Sequence, residues 1–211
     1  METLGCFKQV RLVGGNLALD FVNTETGPRD GPPDSDALES YEDLRTWSRQ
    51  AGAIGDLQFG ALATSGREVP KEAAAALRDA VRLRSQLREL FTALARKQEP
   101  DPGLLGLLRD HWARSLGHAQ LARAEESFAW DWSDCMDLKA PLWSLVNAAV
   151  DLVQSPALND VKQCDGCCFL FVDTSKAGSR RWCSMDDCGK TAKMRRYVDR
   201  RRTAGRSIGR D

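Results

Sequence analysis

Apolar residues recur at steps of three and four along several stretches of the chain, the signature of amphipathic helices. The longest run places Ala73, Leu77, Val81, Leu87, Leu90, Phe91 and Leu94 on one stripe, predicting a helix over residues 70–96 with Pro70 suited to its first turn. The segment Glu99-Pro100-Asp101-Pro102 breaks that pattern. A second helix is expected over 104–115, and Leu142, Leu145, Val146, Ala149, Val150 and Val153 predict a third over 141–154, ahead of Ser155-Pro156. Nearer the start, Ser40 stands three residues before Asp43, so a capping box should open a helix with Tyr41, Leu44 and Trp47 inward, ending at Gly52. A shorter helix is expected over 57–64.

Other stretches follow a shorter period. Val10-Arg11-Leu12-Val13 reads as extended and stops at Gly14-Gly15. Beyond it, Asn16 could cap a helix through Leu17, Ala18, Phe21 and Val22, yet Leu17, Leu19 and Phe21 also alternate as a strand would, and periodicity leaves both open. Residues 27–36, rich in Gly, Pro and Asp, read as a loop. Over 118–132 the pattern fits a hairpin turning at Ala124-Glu125-Glu126, and short strands are expected around Val161 to Gln163 and over 169–172. The fold class expected is mainly α with a small β element (α+β): a helical domain over 1–160 and a small module over 161–211.

Charge sharpens this division. The 211 residues carry no formal net charge, yet 161–211 holds 13 Lys+Arg against 6 Asp+Glu, while 1–160 holds 17 against 24. Such an asymmetry between halves points the basic part toward nucleic acid. With 42% hydrophobic residues the chain can bury a proper core. It holds no apolar run of 18 residues, so no membrane span is expected. Residues 1–6 lack the basic start and apolar stretch of a signal peptide, and a cytoplasmic location is expected.

Seven cysteines, an odd number, suit a reducing compartment better than a disulfide framework. Four have metal-ligand spacing: Cys164-Asp165-Gly166-Cys167, then Cys183-Ser184-Met185-Asp186-Asp187-Cys188. A tetrahedral Zn²⁺ takes four thiolates at about 2.3 Å, and two close cysteine pairs supply them. One structural Zn²⁺ per chain is therefore expected. Cys164 and Cys167 should form a knuckle at an Asp-Gly turn. Cys183 precedes Ser184, which should cap a helix with Asp187 in its first turn, so Cys188 falls where the helix dipole favours thiolate. Knuckle, hairpin and helix start together make a treble-clef-like finger. Cys168 adjoins a ligand, but two intervening residues suit the knuckle, so Cys167 is the expected partner of Cys164. Cys6, Cys135 and Cys168 read as ordinary thiols.

The helix expected over 185–202 carries Lys190, Lys193, Arg196 and Arg200 along one stripe, with Thr191, Met194 and Val198 on another face that could pack on the finger. A charge run is often a solvated face. Here the local excess of positive charge favours contact with double-stranded DNA. Arg180 and Arg181, just before Cys183, are further candidates because the metal site would restrain their backbone.

These residues also carry a resemblance. Asp173-Thr174-Ser175, Ser179-Arg180-Arg181-Trp182-Cys183-Ser184-Met185, Cys188-Gly189 and Ala192-Lys193-Met194-Arg195-Arg196-Tyr197, with Leu19-Asp20-Phe21-Val22-Asn23-Thr24 near the start, resemble bacterial proteins in which a CGNR-type zinc finger follows an ABATE domain. That family is considered to comprise stress-induced transcription regulators, so the resemblance implies DNA binding and regulation. Lys190-Thr191 stands after Cys188-Gly189 where the family pattern has Asn-Arg.

Little else suggests chemistry. His111 and His118 have no nucleophile or carboxylate pair as sequence neighbours, and Val13-Gly14-Gly15-Asn16 lacks the length and ending of a phosphate-binding loop. No enzymatic activity is expected. Asp20, Asn23 and Thr24 sit among apolar residues and are candidates for binding a small-molecule effector; the plainer alternative is that they bond the nearby backbone or cap a helix. Trp47 and Trp143 could line a pocket, although aromatics at helical spacing usually pack in a core. Two functions stand: a DNA-binding transcription regulator whose helical domain binds an effector or forms a homodimer, and a small-molecule-binding or enzymatic domain whose zinc finger clasps a partner protein.

Overall fold

The computed structural model describes residues 10–207, with side chains through residue 201, and is 56% helical, which sets the class as mainly α with small antiparallel sheets. Cys6 lies outside the described residues. The first helix, α1 (Leu17–Val22), begins where the Asn16 side chain accepts the Ala18 N–H at 2.8 Å. That local cap decides for helix over strand, and the residues from Ala18 to Val22 are buried. After it, β1 (Glu25–Thr26) and β2 (Ser35–Asp36) pair across the expected loop.

The helix α2 (Tyr41–Gln50) opens with the reciprocal Ser40 and Asp43 capping box, and Leu44 and Trp47 face the core. Next, α3 (Asp56–Glu68) runs farther than its apolar pattern foretold and stops just before Pro70, whose ring disfavours helical backbone in the residue ahead of it. The longest helix, α4 (Pro70–Ala95), buries Leu83 and Arg84 where the sequence pattern pointed to Val81, which is half-exposed. Then α5 (Pro102–Leu116), the hairpin β3 (Gln120–Ala124) with β4 (Ser127–Asp131), and α6 (Ala140–Gln154) complete the helical part. Among the described residues no helix is long and apolar enough to cross a membrane.

A short 3-10 turn over Pro156–Asp160 leads into β5 (Val161–Gln163), which pairs antiparallel with β6 (Leu170–Val172). This hairpin does not hang from the helical part as a separate bead. Val161, Leu170 and Val172 belong to the same buried cluster as Phe21, Trp47, Leu87, Phe91 and Val146, and the hairpin packs on α1 and α4. Residues 10–13 form no strand; instead Gly14 carbonyl accepts the Val172 N–H at 2.8 Å, so this extended stretch lies along β6 without joining its ladder.

The basic helix α7 (Lys190–Ser207) follows a π-helical turn over Met185–Gly189 that Ser184 caps by accepting the Asp186 N–H at 3.2 Å. Among the described residues its one extensive contact is with that turn, so it projects away from the fold.

Candidate metal centre

Two elements bring the four cysteines together. The knuckle after β5 supplies Cys164 and Cys167, and the turn leading into α7 supplies Cys183 and Cys188, with all four sulfurs within 4.8 Å of one another. Cys167 and Cys183 sulfurs are 3.7 Å apart, and Cys183 and Cys188 sulfurs 3.9 Å. Ligands about 2.3 Å from a tetrahedral centre lie about 3.8 Å from each other, so the set fits a divalent ion such as Zn²⁺. The surroundings fit as well. Cys164 sulfur accepts backbone N–H groups from Gly166 at 3.4 Å and Cys183 at 3.3 Å, as suits a thiolate. A side chain at Gly166 would meet Cys188 Cβ at 3.0 Å and Sγ at 3.2 Å, so glycine lets the two halves approach closely without displacing a ligand.

Four sulfurs so close also compete for protons. Side-chain hydrogen bonds from Cys167 and then Cys183 drive the Cys164 thiol well down, while the same sharing with Cys164 drives Cys167 well up. Negative charge can spread over the whole set once a cation sits among them. Cys168 stands apart: it is buried, its thiol is directed at Glu25 carbonyl 3.6 Å away, and burial raises its pKa.

Residues between Arg11 and Arg29 clasp this centre. Asn23 bonds Leu170 in both directions, and Gly27 carbonyl accepts the Cys168 N–H at 3.1 Å. Arg29 reaches Cys164 carbonyl at 3.0 Å and Asp165 at 2.8 Å, and Arg11 pairs with Asp187.

The expected effector residues are taken up internally. Asp20 accepts the Gly14 N–H at 2.7 Å; Asn23 is committed to β6; Thr24 hydroxyl donates to Phe21 carbonyl at 2.7 Å and accepts from Arg84 at 2.8 Å. These bonds and the burial of all three side chains support the plainer alternative, in which the residues serve the fold. Arg84 itself is fully buried and forks onto Asp36, with Glu25 at 3.1 Å, fixing β1 and β2. Burial works upward on Asp36, but hydrogen bonds and charge from Arg84 outweigh it, so its pKa falls. Trp47 is core, packed on Phe21 at 5.4 Å.

Arg180 is turned toward the finger. Its guanidinium donates to Trp182 carbonyl at 3.0 Å, Val13 carbonyl at 3.2 Å and Cys183 carbonyl, and it lies 4.1 Å above the Phe171 ring. It braces the finger, which gives it a structural task whatever it does toward DNA. Arg181 is exposed, with Asp165 at 2.6 Å. Lys190, Lys193, Arg196 and Arg200 are all exposed on α7, and Arg196 lies over Trp182 at 5.8 Å. The face carrying Thr191, Met194 and Val198 was expected to pack on the finger, but Met194 is 58% exposed.

Residues 15–156 match the family model ABATE, described as a putative stress-induced transcription regulator, and residues 161–201 match the CGNR zinc finger. The chain belongs to the ABATE family. No curated protein matches it closely enough to compare. The ABATE match ends on the 3-10 turn and the CGNR match begins at β5, so the two regions meet where the helical core receives the hairpin.

Sequence reasoning missed a second convergence. His118, Cys135 and Asp137 bring three donor atoms within 4.8 Å of one another, though neither histidine had such a neighbour in sequence. The other histidine, His111, is half-buried, and burial, followed by the charge of Arg114, lowers its pKa.

Proposed function

We propose that this ABATE-family protein is a DNA-binding transcription regulator in which one structural Zn²⁺, held by Cys164, Cys167, Cys183 and Cys188, fixes the start of α7 and so aims that helix at duplex DNA. The observation that carries this reading is the charge and placement of α7, with eight Lys and Arg against one Asp on a helix that projects from the body. Phosphates attract such a surface regardless of sequence. Lys190, standing where the family pattern has Asn, keeps a positive charge at the first turn. Arg181 lies beside Trp182 at 5.0 Å, close to the finger, and is the better placed of the two arginines for a base edge or a fixed phosphate contact.

Binding of a labelled duplex by the zinc-loaded full chain, measured by anisotropy at two salt concentrations, tests the proposal. A Lys193→Glu, Arg196→Glu double variant should bind far more weakly at low salt. Equal binding by variant and parent would remove DNA as the ligand of α7. The exposed strip of Met194, Tyr197 and Val198 would then favour the second reading, in which the helix clasps a partner protein.

A further inference from the structure

We propose that His118, Cys135 and Asp137 form a second metal site, separate from the four-cysteine centre, that takes an exchangeable divalent cation of the Zn²⁺ class. His118 follows the end of α5, while Cys135 and Asp137 lie in the loop before α6. His118 Nδ1 is 3.3 Å from Asp137 Oδ2, and Cys135 Sγ is 3.1 Å from the same oxygen. Around a tetrahedral ion with nitrogen, oxygen and sulfur ligands, the donors lie about 3.4–3.6 Å apart, so a few tenths of an ångström of spreading would admit one. The proton now shared between Cys135 and Asp137 leaves when the cation binds.

The frame around the three donors is built, whereas an exposed ion pair needs none and contributes little. Gln58 is 3% exposed, and its amide donates to Cys135 carbonyl at 3.0 Å and Trp132 carbonyl at 2.8 Å, while its oxygen accepts the Gly55 N–H at 3.0 Å. Trp132 in turn donates to Ser115 carbonyl at 2.8 Å, tying the donor loop to the last turn of α5, just before His118. Tyr41 hydroxyl holds Leu138 carbonyl at 2.9 Å, next to Asp137. The His118 ring stacks on Trp143 with centroids 4.8 Å apart and planes 9° from parallel.

Trp143 supplies an independent pointer. It is 7% exposed, its ring lies against that of His118, and its indole N–H has no hydrogen-bond partner. An unpartnered buried donor beside a ligand ring is placed to serve as an outer-shell donor once a cation and its ligands fill the site, as such donors do around known sites. His118 and Asp137 are each about two-fifths exposed, at 43% and 41%. The fourth position therefore opens to solvent, unlike the enclosed set of four cysteines, and three mixed ligands with an open position suit an ion that comes and goes.

Cobalt(II) added to the zinc-loaded full chain tests the site without dismantling the finger. The expected result is uptake of about one equivalent, with a thiolate charge-transfer band that Zn²⁺ displaces. Cys135→Ser should abolish the band. His118→Ala and Asp137→Asn alter exposed side chains and should each weaken uptake by about tenfold or more, since losing a ligand costs at least what losing its supporting partner does. Melting curves recorded without added metal should match the parent for both. The proposal is overturned if the parent takes up no cobalt, or if uptake and band persist in the His118→Ala, Asp137→Asn double variant. Should Cys135→Ser fail to fold, those two exposed substitutions decide the matter alone.

Discussion

Asn23 and Leu170 exchange two hydrogen bonds: Asn23 Nδ2 donates to Leu170 carbonyl at 2.9 Å, and Leu170 N–H donates to Asn23 Oδ1 at 2.9 Å. A side-chain amide here behaves as an extra residue of the sheet, pairing with β6 on the side away from β5. Because Asn23 ends α1 and Leu170 begins the strand that leaves the cysteine knuckle, one buried contact joins the ABATE core to the metal centre.

Asn23→Ala should therefore be costly well beyond the loss of one side chain. It strands both backbone groups of Leu170 in a buried place, at about 1–3 kcal/mol each. Denaturant unfolding of the zinc-loaded protein should show a loss of about 2–5 kcal/mol, with metal given up more readily to a chelator. A change below about 0.5 kcal/mol, the size of an ordinary surface substitution, would show that the contact does not join the two regions.

Metal removal should reach the helical part as well as the finger. Structural zinc is worth about 10–16 kcal/mol in finger peptides, so chelation should melt α7 and the knuckle. The hairpin also contributes Val161, Leu170 and Val172 to the main core, and burying one such side chain fully is worth about 1.5–3 kcal/mol. The remaining helices should stay folded with a clearly lower melting temperature, read by circular dichroism with and without chelator. An unchanged melting temperature would mean that the finger is energetically separate after all.

What the sequence disclosed was local. Asn16 at its cap, Ser40 with Asp43, Pro70 at the head of α4 and the cysteine spacing each act within a few residues, and each stands where its own chemistry puts it. What it concealed depended on distant partners. Nothing near Arg84 in sequence marks it as buried; its fork onto Asp36, 48 residues away, does. Nothing beside Arg180 foretold that its guanidinium would donate to Val13 carbonyl, 167 residues away. For Asp20, Asn23 and Thr24 the bonds to nearby backbone were foreseen as the plainer alternative, but not the distant partners, Leu170 for Asn23 and Arg84 for Thr24.

The two adjacent cysteines should separate cleanly. Cys167→Ser should abolish tight metal binding, because its sulfur stands 3.7 Å from that of Cys183. Cys168→Ser should leave metal content at one equivalent, because that thiol points to Glu25 carbonyl instead. Metal analysis of the two purified variants reads the difference, and the opposite pattern would reassign the ligand.

Asp20 gives the fold a dependence on pH. Burial raises its pKa to about 6, against backbone hydrogen bonds from Gly14 and Val13 that work downward. The folded state thus binds this proton more tightly than the unfolded chain, whose value is near 3.8. Stability associated with Asp20 should be greatest below the unfolded value and should decline as pH rises through about 6, by at most about 3 kcal/mol. Asp20→Asn keeps an oxygen for Gly14 and cannot ionise. Subtracting the variant's unfolding free energy from the parent's at pH 5 and pH 8 removes the pH dependence of the metal site, which both share. A difference that does not move between those pH values would show that Asp20 carries no such penalty.

Arg180 and Arg181 should part company in DNA binding. Each phosphate neutralised adds about 0.9 to the slope of log affinity against log salt, so contacts from Lys190, Lys193, Arg196 and Arg200 imply a slope near −3.6. Arg181→Ala should weaken binding and alter sequence preference, at about 1–3 kcal/mol if its fork reads a guanine edge. Single substitutions on α7 should instead weaken binding to every duplex alike and make the slope shallower by about one unit. Arg180→Ala removes the donor that holds Val13, Trp182 and Cys183 carbonyls, so its effect should be seen first in metal retention and thermal stability. Any fraction of that variant that keeps its metal should bind with an unaltered slope, because a guanidinium turned inward over Phe171 neutralises no phosphate. A metal-replete Arg180→Ala protein with a slope reduced by one unit would mean that the side chain swings out to meet DNA.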